Sequence, residues 1–236
     1  FETREEMGTA AGKAVINKIN EILELQDEVR MIFAAAPSQN EMLDFLVSHK
    51  DNLDWGRVTA FHMDEYMELD KGHDQLFSSF LKRKLFDHLP FKRIYLIDGH
   101  NPEETKRYAQ LLSESKINIV CLGIGENGHI AFNDPPVADF NDPLPVKMVQ
   151  LDEDCRQQQV NDGCFPSVSD VPERAITLTI PTLMKADHLF CVVPGRRKRE
   201  AVQSTLYHDI SESCPASILR IHRSCILFLD KDAYPA

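Results

Sequence analysis

The sequence predicts an α/β fold, a mostly parallel sheet with helices on both faces, formed as a single domain over residues 1–236. Three observations predict it. Short apolar runs alternate with amphipathic segments along the chain, the pattern of strand–helix–strand units. The length of 236 residues suits one large domain, and 43% hydrophobic residues supply a sizeable core. No internal repeat and no low-complexity linker marks a boundary.

The elements follow in order. Residues 3–25 place Met7, Ala10, Val15, Ile16, Ile19, Ile22 and Leu23 at helical spacing. The apolar run 29–36 predicts a strand. Ser38 followed by Glu41 is a capping-box pattern, which predicts a helix running through Leu43, Phe45 and Leu46. Residues 57–63 predict a strand, and the amphipathic segment 75–89 a helix. A helix over 103–113 starts behind Pro102. Residues 117–122 predict a buried strand. Residues 175–180 predict another strand, with a short helix near Pro181. Then come a strand over 188–193, helices over 196–206 and 216–221, and a last strand over 225–229. Residues 133–172 are rich in Pro and Asp and predict one long irregular, lid-like loop.

Composition narrows the function. The formal net charge of −11 argues against nucleic-acid binding, which needs a basic footprint. It leaves room for a small anion held by a few placed cations. No apolar run approaches the ~20 residues of a membrane helix, so no membrane partner is expected. The acidic start, Glu2 to Glu6, does not form a signal peptide, and a cytoplasmic protein is expected. Six cysteines include no C-x-x-C pair, and no Cys/His cluster has zinc spacing, so reduced thiols and no metal are expected. A monomer and a homo-oligomer both stay open.

Three motifs carry chemistry. Gly123-Ile124-Gly125-Glu126-Asn127-Gly128 fits G-x-G-x-x-G after a strand. A dinucleotide site would need a long helix next, and Pro135 and Pro136 come too soon for one. The alternative is a glycine loop at the carboxyl end of a strand, where the backbone at Gly125 can approach a ligand and His129 is presented for proton transfer. Asp64 and Glu65 end another strand. They read either as a solvated pair or cap, or as a general base, with one carboxylate pointing into the site and the other outward. Gly195 to Arg199 puts cations at a helix start, where they oppose the helix dipole unless an anion is bound.

Together these segments resemble the glucosamine-6-phosphate deaminase (isomerase) family. The resemblance covers most of the chain. It runs through Met63-Asp64-Glu65-Tyr66, the stretch from Gly123 to Pro135, Ala175 to Ile180, Gly195 to Lys198, and Pro215-Ala216-Ser217 with His222. The Gly-His-Ile-Ala-Phe-Asn stretch is the most specific; related 6-phosphogluconolactonases diverge after the His. The resemblance implies a Rossmann-like sheet and a reaction without metal or organic cofactor, glucosamine 6-phosphate and water giving fructose 6-phosphate and ammonia. It implies that Asp64 shuttles a proton between C2 and C1, that His129 opens the sugar ring, and that Lys198 binds the phosphate of a small phosphorylated sugar.

Several positions depart from the family pattern. Asn127 stands where an acid is usual, and Asp134 where Glu is usual. Asn can orient an imidazole but brings no charge, and the shorter Asp134 needs help from the backbone to reach His129. Ala35-Ala36-Pro37-Ser38 replaces a Gly-Gly-Thr type turn, leaving Ser38 as the hydroxyl donor. The lid arginine has no clear counterpart, and Arg156 or Lys147 is the expected substitute. Basic residues of the allosteric site of some members are mostly absent, so no activation by N-acetylglucosamine 6-phosphate is expected. Galactosamine 6-phosphate as substrate, a lactonase, and a sugar-phosphate sensor without catalysis remain the alternatives.

Overall fold

In the computed structural model, which describes residues 1–235, two sheets share the work. The main sheet is built from β1 (Val29–Phe33), β2 (Val58–His62), β4 (Arg93–Tyr95), β5 (Ile119–Leu122), β8 (His188–Val193) and β9 (Cys225–Leu229). Its strand order is β4-β2-β1-β5-β8-β9, with every pair parallel. The smaller sheet is antiparallel, with β3 (Asp64–Tyr66) and β6 (Val146–Gln150) flanking β7 (Arg174–Leu178).

Side-chain alternation explains why the central strands read as unbroken apolar runs. Ile32, Phe61, Val120, Leu122, Cys191 and Val193 enter one core. Met31, Phe33, Val58, Ala60, Cys121 and Val192 enter the other. A strand covered on both faces has no polar face to show. The second core is closed by α1 (Arg4–Leu23) and α2 (Asn40–Ser48), through Met7, Val15, Ile19, Met42, Leu43 and Leu46. The first is closed largely by α4 (Glu104–Ser113), α6 (Ile180–Met184) and α7 (Arg199–Tyr207), through residues such as Tyr108, Leu183 and Val202. The helix expected over 75–89 is α3 (Phe77–Leu81), continued by one wider π turn over Lys82–Phe86.

Two expectations are corrected here. The region 133–172 is not one irregular loop: it contains β6 and the helix α5 (Glu153–Asn161). The buried residues of α5 are Cys155, Gln158 and Gln159, so its inner face carries almost no hydrophobic periodicity. The capping box at Ser38 does not form either. Neither the 3-10 turn Pro37–Gln39 nor α2 has a side-chain cap. Glu41 instead accepts from the Arg4 guanidinium at 2.9 Å, which draws the start of α1 onto α2. No described helix is long and apolar enough to cross a membrane.

The strand order reverses between β1 and β5. Chain leaving β1 goes on to β2 on one side, and β5 leads to β8 on the other. Loops diverging from the carboxyl ends of such a pair leave a crevice, the usual ligand site of an open parallel sheet.

Candidate active site

A cavity occupies that crevice. Its wall includes Ser38 after β1, Asp64 after β2, Gly125 and His129 after β5, and Lys198 after β8. Four segments far apart in sequence therefore deliver their polar side chains to one place.

Asp64 sits where the chain changes sheets. Once past His62, the chain pairs antiparallel with β7, setting Asp64 opposite Thr177. The Met63 carbonyl accepts from the Leu178 amide at 2.8 Å and fixes the crossing. Asp64 is 7% exposed, and no hydrogen bond from a described residue reaches its carboxyl. Burial, and then the charges of Glu65 and Asp134, push its pKa well above the ordinary carboxylate range.

Glu65 points the other way. It accepts backbone N–H groups from Phe77 and Ser78, both at 2.9 Å, and from Tyr66 at 3.0 Å. Two of these are free donors of the first turn of α3, which has no cap of its own. Burial still leaves Glu65 with a raised pKa despite these bonds. Its work is to hold α3, whose Phe77 lines the cavity. Glu65→Ala strands three backbone donors, one buried and two partly buried, and should cost about 2–3 kcal/mol of stability, read as a lower midpoint in urea unfolding.

The loop after β5 is tied down at each step. The Gly125 amide donates to the His129 carbonyl at 2.9 Å, and the Gly128 amide to the Gly125 carbonyl at 3.1 Å. Gly128 has φ +86°, and a Cβ there would lie 2.8 Å from Cys214 Sγ, so only glycine fits. Ile130 and Phe132 are buried. Asn133 is fully buried and donates to the carbonyls of Ile130 and Leu178, each at 2.9 Å. This turn carries Asp134 back to His129.

His129 Nδ1 lies 2.8 Å from Asp134 Oδ1. The distance suits an ion pair, but the ring N–H direction is off the line to that oxygen, so Nδ1 makes no aligned hydrogen bond. The missing methylene of Asp134 is thus made up by the turn. Burial opposes the charge on Asp134, yet His129 and Asn127 hold its pKa below the ordinary range. The Asn127 side chain is hydrogen-bonded to groups other than the ring. Its amide donates to Asp134 Oδ1 at 2.9 Å, and its carbonyl accepts from the His129 backbone N–H at 3.0 Å. It orients Asp134 and the loop, not the imidazole.

Gly125 acts through the ring as well. A Cβ there would meet three atoms of the His129 imidazole at 2.3–2.4 Å. Gly125→Ala must displace the ring by about 1 Å, which should cost about 100-fold in kcat while the far-UV CD spectrum is kept.

Lys198 is 7% exposed, and burial lowers its pKa, with Asp162 and Glu126 opposing the shift. It ends the 3-10 turn Arg196–Lys198, just ahead of α7. Ser38 Oγ accepts from the Gln39 amide at 3.1 Å. Arg156 is not on the cavity wall. Its Nη2 donates to the Val168 and Val171 carbonyls at 2.8 and 2.9 Å, and so pins the loop after α5. Lys147 pairs with Asp142 at 2.8 Å, likewise away from the cavity. The cavity's further cations are Arg4 and Arg83, on the opening turn of α1 and the π turn after α3. Neither stands in a motif, and only the fold places them there.

A family model described as glucosamine-6-phosphate isomerases/6-phosphogluconolactonase matches residues 2–227. The chain belongs to this family. A glucosamine-6-phosphate deaminase of Bacillus cereus strain B4264 is 36% identical over 235 residues, 98% of this chain and 86% of that protein. A deaminase of strain G9842 is 40% identical over 187 residues, 78% of this chain and 70% of that protein. A solved monomeric glucosamine-6-phosphate deaminase matches with a TM-score of 0.90 at 29% identity, covering 99% of this chain and 96% of that one. A 6-phosphogluconolactonase from Thermotoga maritima matches with a TM-score of 0.78 at 19% identity, covering 98% and 97%, which shows the shared fold of the family and no more.

Proposed function

We propose that this protein is a glucosamine-6-phosphate deaminase that converts glucosamine 6-phosphate and water to fructose 6-phosphate and ammonia. The observation that carries the reading is a buried carboxyl group, Asp64, lining one cavity with His129, which in turn pairs with Asp134. Kinship with deaminases at 36–40% identity supports it.

The chemistry follows from these groups. Lys198, the Ser38 hydroxyl, and the positive charge of Arg4 and Arg83 hold the phosphate. His129 gives a proton to the ring oxygen as the C1–O5 bond breaks, the O1 hydroxyl gives up its proton to solvent, and the sugar opens to its aldehyde. Asp64 takes the proton from C2 as O1 regains one from solvent, leaving an enolamine across C1 and C2. Asp64, whose proton exchanges with solvent while the enolamine lasts, gives a proton back to C1, and the nitrogen at C2 becomes an imine. Water adds to the imine carbon and ammonia leaves. Asp134 lets His129 carry charge during ring opening, and Asn127 keeps Asp134 turned toward it.

A general base works best when its pKa lies close to the working pH. The raised pKa of Asp64 makes its carboxylate a stronger base than an ordinary one for taking the proton from C2. A lactonase has no C–H bond to break, so its chemistry calls for a base that activates water and not for one that takes a proton from carbon.

The test is ammonia release from glucosamine 6-phosphate, run beside galactosamine 6-phosphate. Release from the gluco sugar supports the reading. Release from the galacto sugar alone keeps the mechanism and changes the substrate. Thermal stabilisation by both sugars without ammonia would indicate a sensor.

A further inference from the structure

We propose that His129, Asp134 and Cys155 form a binding site for a thiophilic divalent cation such as zinc, and that filling it switches the enzyme off. The binding half stands apart from the reaction; the inhibition half rests on the deaminase reading.

One donor atom of each residue, the imidazole nitrogen, a carboxylate oxygen and the thiol sulfur, lies within 4.8 Å of the other two. All three side chains are buried, Asp134 and Cys155 to 1% exposure. An N, O and S donor set suits zinc or cobalt and is poor for magnesium or calcium. Zinc bonds of about 2.0–2.3 Å place ligands about 3.3–3.8 Å apart. Small side-chain rotations bring these atoms to that spacing.

Two of the donors also lack what buried polar atoms normally have. His129 Nδ1, 2.8 Å from Asp134 Oδ1, and Asp134 Oδ2, on a carboxylate that also meets the Cys155 thiol, are buried and make no well-aligned hydrogen bond. Such atoms are rare inside proteins, and a cation would satisfy both. Cys155 is held in place from outside the cluster. It lies in the first turn of α5, where its amide donates to the capping Asp152 carboxylate at 2.7 Å. The cavity reaches His129 and gives an ion its entry path.

The binding step balances without redox change. The metal–sulfur bond forms as the Cys155 S–H bond breaks, and the proton passes to solvent. Three protein ligands leave a fourth position for water. Occupancy takes the lone pair of His129 Nδ1 and ties Asp134 to the metal. The positive ion then disfavours a proton on Nε2, so the imidazole no longer cycles between its acid and base forms.

Sequence spacing does not announce this site, because α5 falls in the stretch that reads as loop. Cys164 is the control. It is free, lies near α5 and lines the cavity, but does not belong to the cluster.

The experiment is titration of the intact protein with cobalt chloride, followed by absorbance. We expect a thiolate-to-cobalt band that saturates at one ion per chain and is displaced by zinc. Cys155→Ser and Cys155→Ala should both lose the band and weaken binding by about 10–100-fold or more. Cys164→Ser should keep it. In the ammonia assay zinc should inhibit the wild type reversibly to EDTA, and the Cys155 variants should keep their basal rate with that sensitivity lost. Absence of the band in the wild type, its survival without Cys155, or equal zinc inhibition in the Cys155 variants would overturn the proposal. His129→Gln, read by the band alone, covers the case in which both Cys155 variants fail to fold. An intact band with no ammonia release would instead count against the deaminase reading alone.

Discussion

Asp64→Asn is expected to lower kcat by about 10³–10⁴-fold, leave substrate binding nearly intact, and make the protein more stable to heat. The loss follows from the role: an amide cannot take the C2 proton. The gain follows from burial. The Asp64 pKa is raised in the folded protein, first by desolvation and then by Glu65 and Asp134. A carboxyl with a raised folded pKa binds its proton more tightly when folded than when unfolded. Its stability contribution is therefore fully present below the unfolded pKa, and is lost as pH rises through the folded one. Asn stays neutral throughout. The Tm advantage of the variant should be small at about pH 5 and larger at about pH 8. A Tm difference that does not grow with pH would show that Asp64 is not held in this way. The same shift places the acid limb of kcat/KM above the ordinary carboxylate range, because the free enzyme must lose that proton before it can act.

Asp134→Asn should lower kcat by about 100-fold and move the acid limb of kcat/KM to lower pH. The first effect comes from His129, whose Nδ1 lies 2.8 Å from Asp134 and loses that carboxylate's charge. The second comes from Asp64, whose pKa is raised partly by the charge on Asp134. A merely structural Asp134 would move the rate without moving the limb, so the profile separates the two roles. The two carboxyls also respond oppositely to pH. Asp134 has a lowered folded pKa, so its stabilising contribution is present above the unfolded carboxylate range and fades as pH falls through the folded value.

Much of this was legible in the sequence. The central strands read correctly because burial on both faces makes them uniformly apolar. The Gly123–Pro135 stretch announced a glycine loop presenting His129, and the structure supplies the reason at Gly125, where only a hydrogen leaves room for the ring. Other parts were hidden for physical reasons. β3 is three residues long, follows β2 after one residue, and reads as its continuation. Of the five residues of β6, three, among them Lys147 and Met148, are partly or fully exposed. The inner face of α5 is polar because Gln158 and Gln159 turn toward the cavity rather than a hydrophobic core.

The cations tell the same story. Arg156 stood in the expected region, but local backbone carbonyls take its guanidinium. Arg4 and Arg83 reach the cavity only because α1 and the turn after α3 pack beside the switch point. The pairing of Asn127 with Asp134 was equally out of reach. Their separation in sequence does not say which of them the tight turn at Asn133 brings against the imidazole.

The most direct test of the central claim, proton transfer between C2 and C1 by Asp64, is turnover of glucosamine 6-phosphate in deuterium oxide with NMR of the product. The account predicts fructose 6-phosphate carrying solvent deuterium at C1, formed together with ammonia, and neither from Asp64→Asn. Ammonia release with an unchanged rate in Asp64→Asn, or no deuterium at C1 in the wild-type product under conditions of slow turnover, would contradict it.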